Sequence, residues 1–213
     1  MLRLATAVVA GLVAMGGWAV VTVKELPEYF VAGRQYTIEF EVRQHGRTLL
    51  SGLQPELIVT LPGGRKETIA AVPRAARGAG AYAATFNAPS SGPVSLTIKS
   101  GWGSSELNLF PQTVVAAGTT RPAMAVADRG RVLFVAKGCT ICHANSDLGD
   151  DNNHLTVGPE LGGRRLARQY VFQKIKNPAS EKMPDLGLSD ADAAAIAAFL
   201  SGERGAATGA GSR

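Results

Sequence analysis

The sequence predicts two domains in series, an all-β sandwich followed by an all-α domain. Three observations carry this. Over residues 20–115 apolar and polar residues alternate in short runs separated by Gly, Pro and Ser, whereas over 127–204 the apolar spacing becomes helical. Between them, residues 116–126 are small and polar and are punctuated by Gly118 and Pro122, as expected of a linker. With 213 residues, 46% of them hydrophobic and 18% charged, the chain can fill two small cores and is not a disordered polymer.

In the first region, Tyr36, Ile38, Phe40 and Val42 alternate with Thr37, Glu39 and Glu41, the pattern of a strand with one wet face. Leu57, Val59 and Leu61 repeat it before the turn at Pro62-Gly63-Gly64. Further strands are expected over 68–72, 81–86, 94–99 and 106–110, with an opening strand over 20–25. Many short strands joined by turn residues predict an antiparallel sandwich of immunoglobulin type. An inter-sheet disulfide is excluded, because this stretch contains no cysteine.

In the second region a helix is expected over 128–137, around Val132, Leu133, Phe134 and Val135. A second is expected over 165–176, stopped by Asn177-Pro178. A third starts at Ser189, with Asp190 and Asp192 in its first turn to complement the helix dipole, and ends before Gly202. Residues 205–213, rich in Gly, Ala and Ser, are expected to be a disordered tail.

The first 19 residues read as a signal peptide or a membrane anchor. Arg3 is the positive flank, the run from Leu4 to Met15 is apolar, and Gly16, Gly17 and Ala19 supply small residues. Cleavage between Ala14 and Ala19 fits the pattern. The apolar run extends to Val23, enough to span a bilayer if retained. The opening strand at Val20 favours cleavage. Either reading puts the remainder outside the cytoplasm, in the periplasm, with inner-membrane anchoring if the segment stays.

Formal net charge is +5 but is dispersed: nine Lys/Arg face seven Asp/Glu over 20–118, and ten face ten over 127–204. Nucleic-acid binding requires a concentrated basic face, so it is not expected.

The two cysteines stand three apart and are followed by histidine: Cys139-Thr140-Ile141-Cys142-His143. This is the c-type haem attachment motif. At a helix end, residues three apart share a face, so both thiols reach the vinyl groups of one porphyrin while His143 offers its imidazole to the iron from the same side. A disulfide or a thioredoxin-like pair would leave the histidine unexplained, and a zinc site needs four ligands where only His45 and His154 could complete the set. One covalently attached haem c is the expected cofactor. Attachment takes place outside the cytoplasm, which agrees with the apolar leader.

From residue 128 to 200 the sequence resembles a class I monohaem cytochrome c. The resemblance rests on Gly130 and Phe134, on Cys139, Cys142 and His143, on Gly158-Pro159-Glu160-Leu161, on Met183-Pro184, and on the Ala-rich last helix with Phe199-Leu200. It implies Met183, forty residues beyond His143, as sixth iron ligand opposite His143, and the Pro159 carbonyl as acceptor for the other ring nitrogen of His143. His154 is the rival sixth ligand and would lower the potential. Met124 stands too close in sequence to reach across the ring. Arg164, Arg165 and Tyr170 are candidates to meet the propionates. Residues 146–153, with Asp147, Asp150 and Asp151, lack the spacing of a calcium loop and read as solvated.

The sandwich stretch resembles a YtkA-like or FixH-like immunoglobulin-type domain through Leu26-Pro27-Glu28-Tyr29, Ala32-Gly33, the run from Phe40 to Gly46, and Gly80-Ala81-Tyr82. Some relatives are associated with copper handling or oxidase assembly. Copper sites use clusters of Met, Cys or His, and here only His45 is available, so a docking or spacing module is the expectation. The chain is thus expected to be a periplasmic one-electron carrier and not an enzyme, exchanging electrons with redox partner proteins. Two rivals stand beside this reading: a haem relay subunit in a respiratory or photosynthetic membrane complex, and a haem enzyme or gas sensor with an open iron site.

Overall fold

The computed structural model describes residues 17–120, 123–149, 155, 157–178 and 182–203. The leader up to residue 16, His154, residues 150–153 of the 146–153 loop and the 205–213 tail lie outside the described residues. Among the described residues no helix is long and apolar enough to cross a membrane.

The β region contains β1 (Ala19–Val23), β2 (Phe30–Val31), β3 (Gln35–Gln44), β4 (Thr48–Leu49), β5 (Glu56–Thr60), β6 (Lys66–Ala70), β7 (Val72–Pro73), β8 (Ala81–Asn87), β9 (Ser95–Lys99), β10 (Glu106–Asn108) and β11 (Val114–Val115). One sheet has the order β1-β3-β8-β7 with β4 on β3, the other β10-β9-β5-β6, and the pairs within both are antiparallel. A short parallel pair, β2 with β11, stands apart.

The alternation of β3 is physical. Ile38, Phe40 and Val42 are buried, while the carboxylates of Glu39 and Glu41 between them take ion-pair partners on the wetter face. Register aligns Phe40 with Val23 on one side and Tyr82 on the other, and Leu57 with Ile98, which builds the core between the sheets. Full burial of each such side chain contributes about 1.5–3 kcal/mol. The Tyr82 hydroxyl, buried with its ring, donates to the Leu50 carbonyl at 2.7 Å and accepts from the Leu53 N–H at 3.1 Å.

The strand expected over 68–72 is two strands. Residues 66–70 pair with β5 in one sheet, and Val72–Pro73 pair with β8 in the other, so the chain changes sheets at Ala71. The parallel pair β2/β11 also escaped the sequence reading, because two-residue strands show no period.

The helical region contains α1 (Val126–Ala136), α2 (Arg168–Lys176) and α3 (Asp190–Leu200). Helix α3 starts where expected: the Ser189 hydroxyl accepts the Asp192 N–H at 3.1 Å. Helix α2 starts three residues later than the expected Arg165, because Arg165 has φ +44°, a left-handed conformation that a right-handed helix cannot contain. Helices α1 and α3 cross at Gly130, where an added Cβ would lie 1.9 Å from the Ala195 carbonyl oxygen. Phe134 and Phe199 meet beside the crossing, edge to face, with ring centroids 5.9 Å apart.

The two regions pack through β1, whose five residues are all buried. Ala19, Val21 and Val23 point into the sandwich core. Val20 and Thr22, on the other face, meet the helical region: the Thr22 hydroxyl donates to the Lys137 carbonyl at 3.3 Å, and Val20 abuts Gly138. Buried Lys137 donates to the carbonyls of Val23 (3.0 Å) and Lys24 (2.6 Å) and pairs with Asp192 at 2.9 Å. A buried ammonium is tolerated only when paired and hydrogen-bonded in this way.

Because backbone cannot retreat from a 1.9 Å approach, Gly130→Ala is expected to destabilise the helical region by about 3 kcal/mol or more. Its thermal unfolding midpoint, followed by far-ultraviolet circular dichroism, checks this; an unchanged midpoint would contradict the close crossing.

Candidate functional site

The attachment run begins directly after α1. Lys137 ends the helix and Gly138 turns the chain with φ +79°, a left-handed conformation natural to glycine. Space dictates glycine there as well: a Cβ would lie 2.5 Å from the Val21 carbonyl oxygen. Residues Cys139–Ile141 then form a single 3₁₀ turn, with the Cys142 and His143 N–H groups donating to the Cys139 carbonyl at 3.2 and 3.0 Å. In a 3₁₀ turn, residues three apart are eclipsed. Cys139 and Cys142 therefore present both sulfurs to one side, with His143 beside them.

A cavity of about 400 Å³ opens on that side, and Cys139, Cys142, His143, Pro159 and Met183 all line it. Phe134, Leu161, Val171, Ile196 and Leu200 make its walls apolar. The His143 Nδ1–H donates to the Pro159 carbonyl at 2.9 Å, which fixes the tautomer and leaves Nε2 as the basic nitrogen. The 157–161 segment is held over the imidazole by Gly158, whose N–H donates to the Cys142 carbonyl at 2.8 Å and where a Cβ would lie 2.5 Å from the ring. Glu160 pins the same segment, one carboxylate oxygen accepting from the N–H groups of Ser146 (3.0 Å) and Gly162 (2.8 Å).

The electrostatics separate the chemical readings of the two cysteines. Burial pushes the Cys139 thiol up to about 12, and burial raises Cys142 as well. Such surroundings disfavour the free thiolate that disulfide exchange requires. They suit an uncharged thioether. Among the described residues no group of three His, Cys, Asp or Glu side chains is placed to hold a metal ion.

The remaining candidates divide. Arg164 and Tyr170 line the cavity; Arg165 does not, and its side chain packs against Gly202 instead. Met124 lies away from the cavity, its N–H donating to Glu28 at 2.7 Å. His45 sits in a turn of the sandwich beside the Trp18 ring, centroids 5.2 Å apart. The sequence reading missed Lys174 and Lys182, which join Arg164 in lining the cavity, and Val20, which reaches it from β1. The lysines carried a legible signal, cations flanking Tyr170 and Met183. Val20 carried none.

A larger cleft of about 830 Å³ lies between the regions, among Arg74, Glu39, Glu41, Arg129 and Asp192. Its lining is of mixed charge and contains neither cysteine nor histidine, so the attachment chemistry belongs to the smaller cavity. The smaller cavity fits haem c: two sulfurs on one wall, an oriented imidazole between them and the Pro159 carbonyl, apolar sides, and cations for the carboxylates.

Residues 125–200 match the family described as cytochrome c oxidase, cbb3-type, subunit III. That stretch contains all three helices and the attachment run. No curated protein matches the chain in sequence. Among solved structures, the crystal structure of the Lin-41 filamin domain is similar at 20% identity and a TM-score of 0.35, over 47% of this chain and 93% of that one. Domains 4–9 of the surface layer protein SbsC are similar at 20% identity and a TM-score of 0.34, over 48% of this chain and 15% of that one. The strands over 19–115 form a β-sandwich and the helical region that follows matches a cytochrome c domain, which implies covalently bound haem c as the cofactor.

Removing both thiols tests the attachment. In the wild-type protein haem absorbance is expected to travel with the polypeptide through denaturing chromatography. In the Cys139→Ala/Cys142→Ala double variant it is expected to separate completely. Haem released from the wild-type chain would contradict covalent attachment.

Proposed function

We propose that this protein is an exported, periplasmic one-electron carrier whose single haem c is ligated by His143 and Met183. The observation that carries the reading is the joint lining of one apolar cavity by Cys139, Cys142, His143 and Met183, with His143 oriented on the Pro159 carbonyl. Haem c supplies reversible exchange of one electron between Fe(II) and Fe(III). The chain's own residues do the rest. His143, oriented by its hydrogen bond, and the Met183 thioether would serve as the two protein ligands of the iron, a pairing that raises the potential. The apolar walls exclude water and thereby favour the less charged reduced state. Arg164, Lys174, Lys182 and the Tyr170 hydroxyl are proposed to meet the propionates and to face redox partners.

The proposed boundaries are a leader over 1–19, with cleavage placed before Trp18 because Trp18 and Ala19 pack in the sandwich, an immunoglobulin-type sandwich over 20–115, a linker over 116–126 and the haem domain over 127–204. A second reading draws support from the matched family, whose description names an oxidase subunit. On that reading the haem relays electrons inside a membrane complex and the leader is retained as its anchor. Isolation of the chain from washed membranes with a partner, leader intact, would favour the relay. Recovery of the cleaved chain from the soluble periplasmic fraction would favour the carrier.

Absorption spectra test the ligation. The ferric protein is expected to show the far-red methionine-to-iron band, lost in Met183→Ala, and the ferrous spectrum is expected not to change under carbon monoxide. High-spin spectra with ready carbon monoxide binding would sink the carrier reading in favour of catalysis or gas sensing.

A further inference from the structure

The β-sandwich contributes directly to the wall of the haem cavity. Val20, on the face of β1 turned away from the sandwich core, is 2% exposed and lines the cavity. The turn after β3 adds a second contact. Gly46 has φ +73°, and a Cβ there would lie 2.7 Å from Pro184 Cγ and 3.4 Å from both Pro184 Cβ and Val20 Cγ2. Pro184 follows Met183 directly, so Gly46, Val20 and Pro184 form one packed contact beside the methionine. The turn is itself held: the His45 N–H donates to the Trp18 carbonyl at 3.1 Å, tying it to the chain just before β1.

The two regions cannot slide freely at this point. Lys137, two residues before Cys139, is fastened to the carbonyls of Val23 and Lys24, and Gly138 fits against Val21 with no room for a side chain. The sandwich thus holds both edges of the cavity, the attachment turn through β1 and the methionine segment through the β3 turn.

We propose that the sandwich positions the axial-ligand segment. In this role Gly46 and Val20 seat Pro184, keep the Met183 thioether over the cavity and slow its departure; they are positioning residues. The sandwich is then a lid on the methionine side of the haem, rather than a spacer. This rests on Met183 as the sixth ligand.

The test uses the full-length haem protein. Gly46→Ala puts a methyl group into the Pro184 ring. Gly33→Ala imposes the same left-handed strain (φ +70°) in another sandwich turn, where the added Cβ meets nothing within 4 Å. Gly46→Ala is expected to weaken the far-red methionine band and to let the ferrous haem bind carbon monoxide, which the wild type does not, because local overpacking displaces the methionine segment. Gly33→Ala is expected to change neither. Pro184→Ala removes the Cγ that the new methyl would strike, so adding it to Gly46→Ala is expected to restore part of the band; this also guards against a Gly46→Ala chain that folds poorly.

If Gly46→Ala matches the wild type in its band and in its failure to bind carbon monoxide while Met183→Ala abolishes the band, the positioning role is overturned and the ligand assignment stands. If the two glycine variants change the haem equally, the effect is general destabilisation and the positioning role is again overturned. If the wild type lacks the band, both the ligand assignment and the positioning role fail.

Discussion

Helix α1 can cross α3 only because residue 130 has no Cβ, and the haem site follows from that crossing. With Gly130 against the Ala195 carbonyl, the C-terminal end of α1 emerges at one place, and Lys137, Gly138 and the Cys139 turn come immediately after it. Phe134 and Phe199 fill the angle between the helices, and Ile196 and Leu200 continue along α3 to form the cavity wall. A wider crossing would leave the sulfurs and the imidazole on a surface instead of in a pocket. Close packing at one glycine therefore turns a five-residue motif into a binding site, because a packed interior transmits a displaced backbone to everything that rests on it.

Strand β1 links this site to the rest of the chain. An edge strand normally has one face in the core and the other in water, and an open edge invites pairing with other chains. Here the helical region covers the second face, and Lys137 supplies donors to the carbonyls of Val23 and Lys24. The ammonium forms these bonds and the Asp192 pair from a buried position, so the contact is specific as well as apolar. Two domains joined only by a linker would move independently. Here the first strand of one domain belongs to the packing of both.

The legible parts of the sequence were those where chemistry or solvent imposes a local pattern. The Cys139–His143 run is readable because two thioethers and an axial imidazole demand that spacing. Strand β3 is readable because one of its faces is wet, and α3 because Ser189 must cap it. Legibility failed where distant residues decide. The start of α2 was misread because Arg165 carries no sequence sign of its left-handed backbone. One expected strand proved to be two, because the change of sheet at Ala71 is set by the partners β5 and β8. The part that Val20 and Gly46 play beside the cavity exists only in the docked pair of domains. Gly46 looks in the sequence like any other turn glycine.

A haem whose iron is closed and exchanges one electron must respond in a defined way to a spectroelectrochemical titration of the full-length protein under argon and under carbon monoxide. A single Nernstian wave of one electron is expected, at the same midpoint under both gases, because His143 and Met183 would leave the iron no vacant position. A wave that shifts upward under carbon monoxide would reveal an open site on the ferrous iron and overturn the closed His143/Met183 ligation.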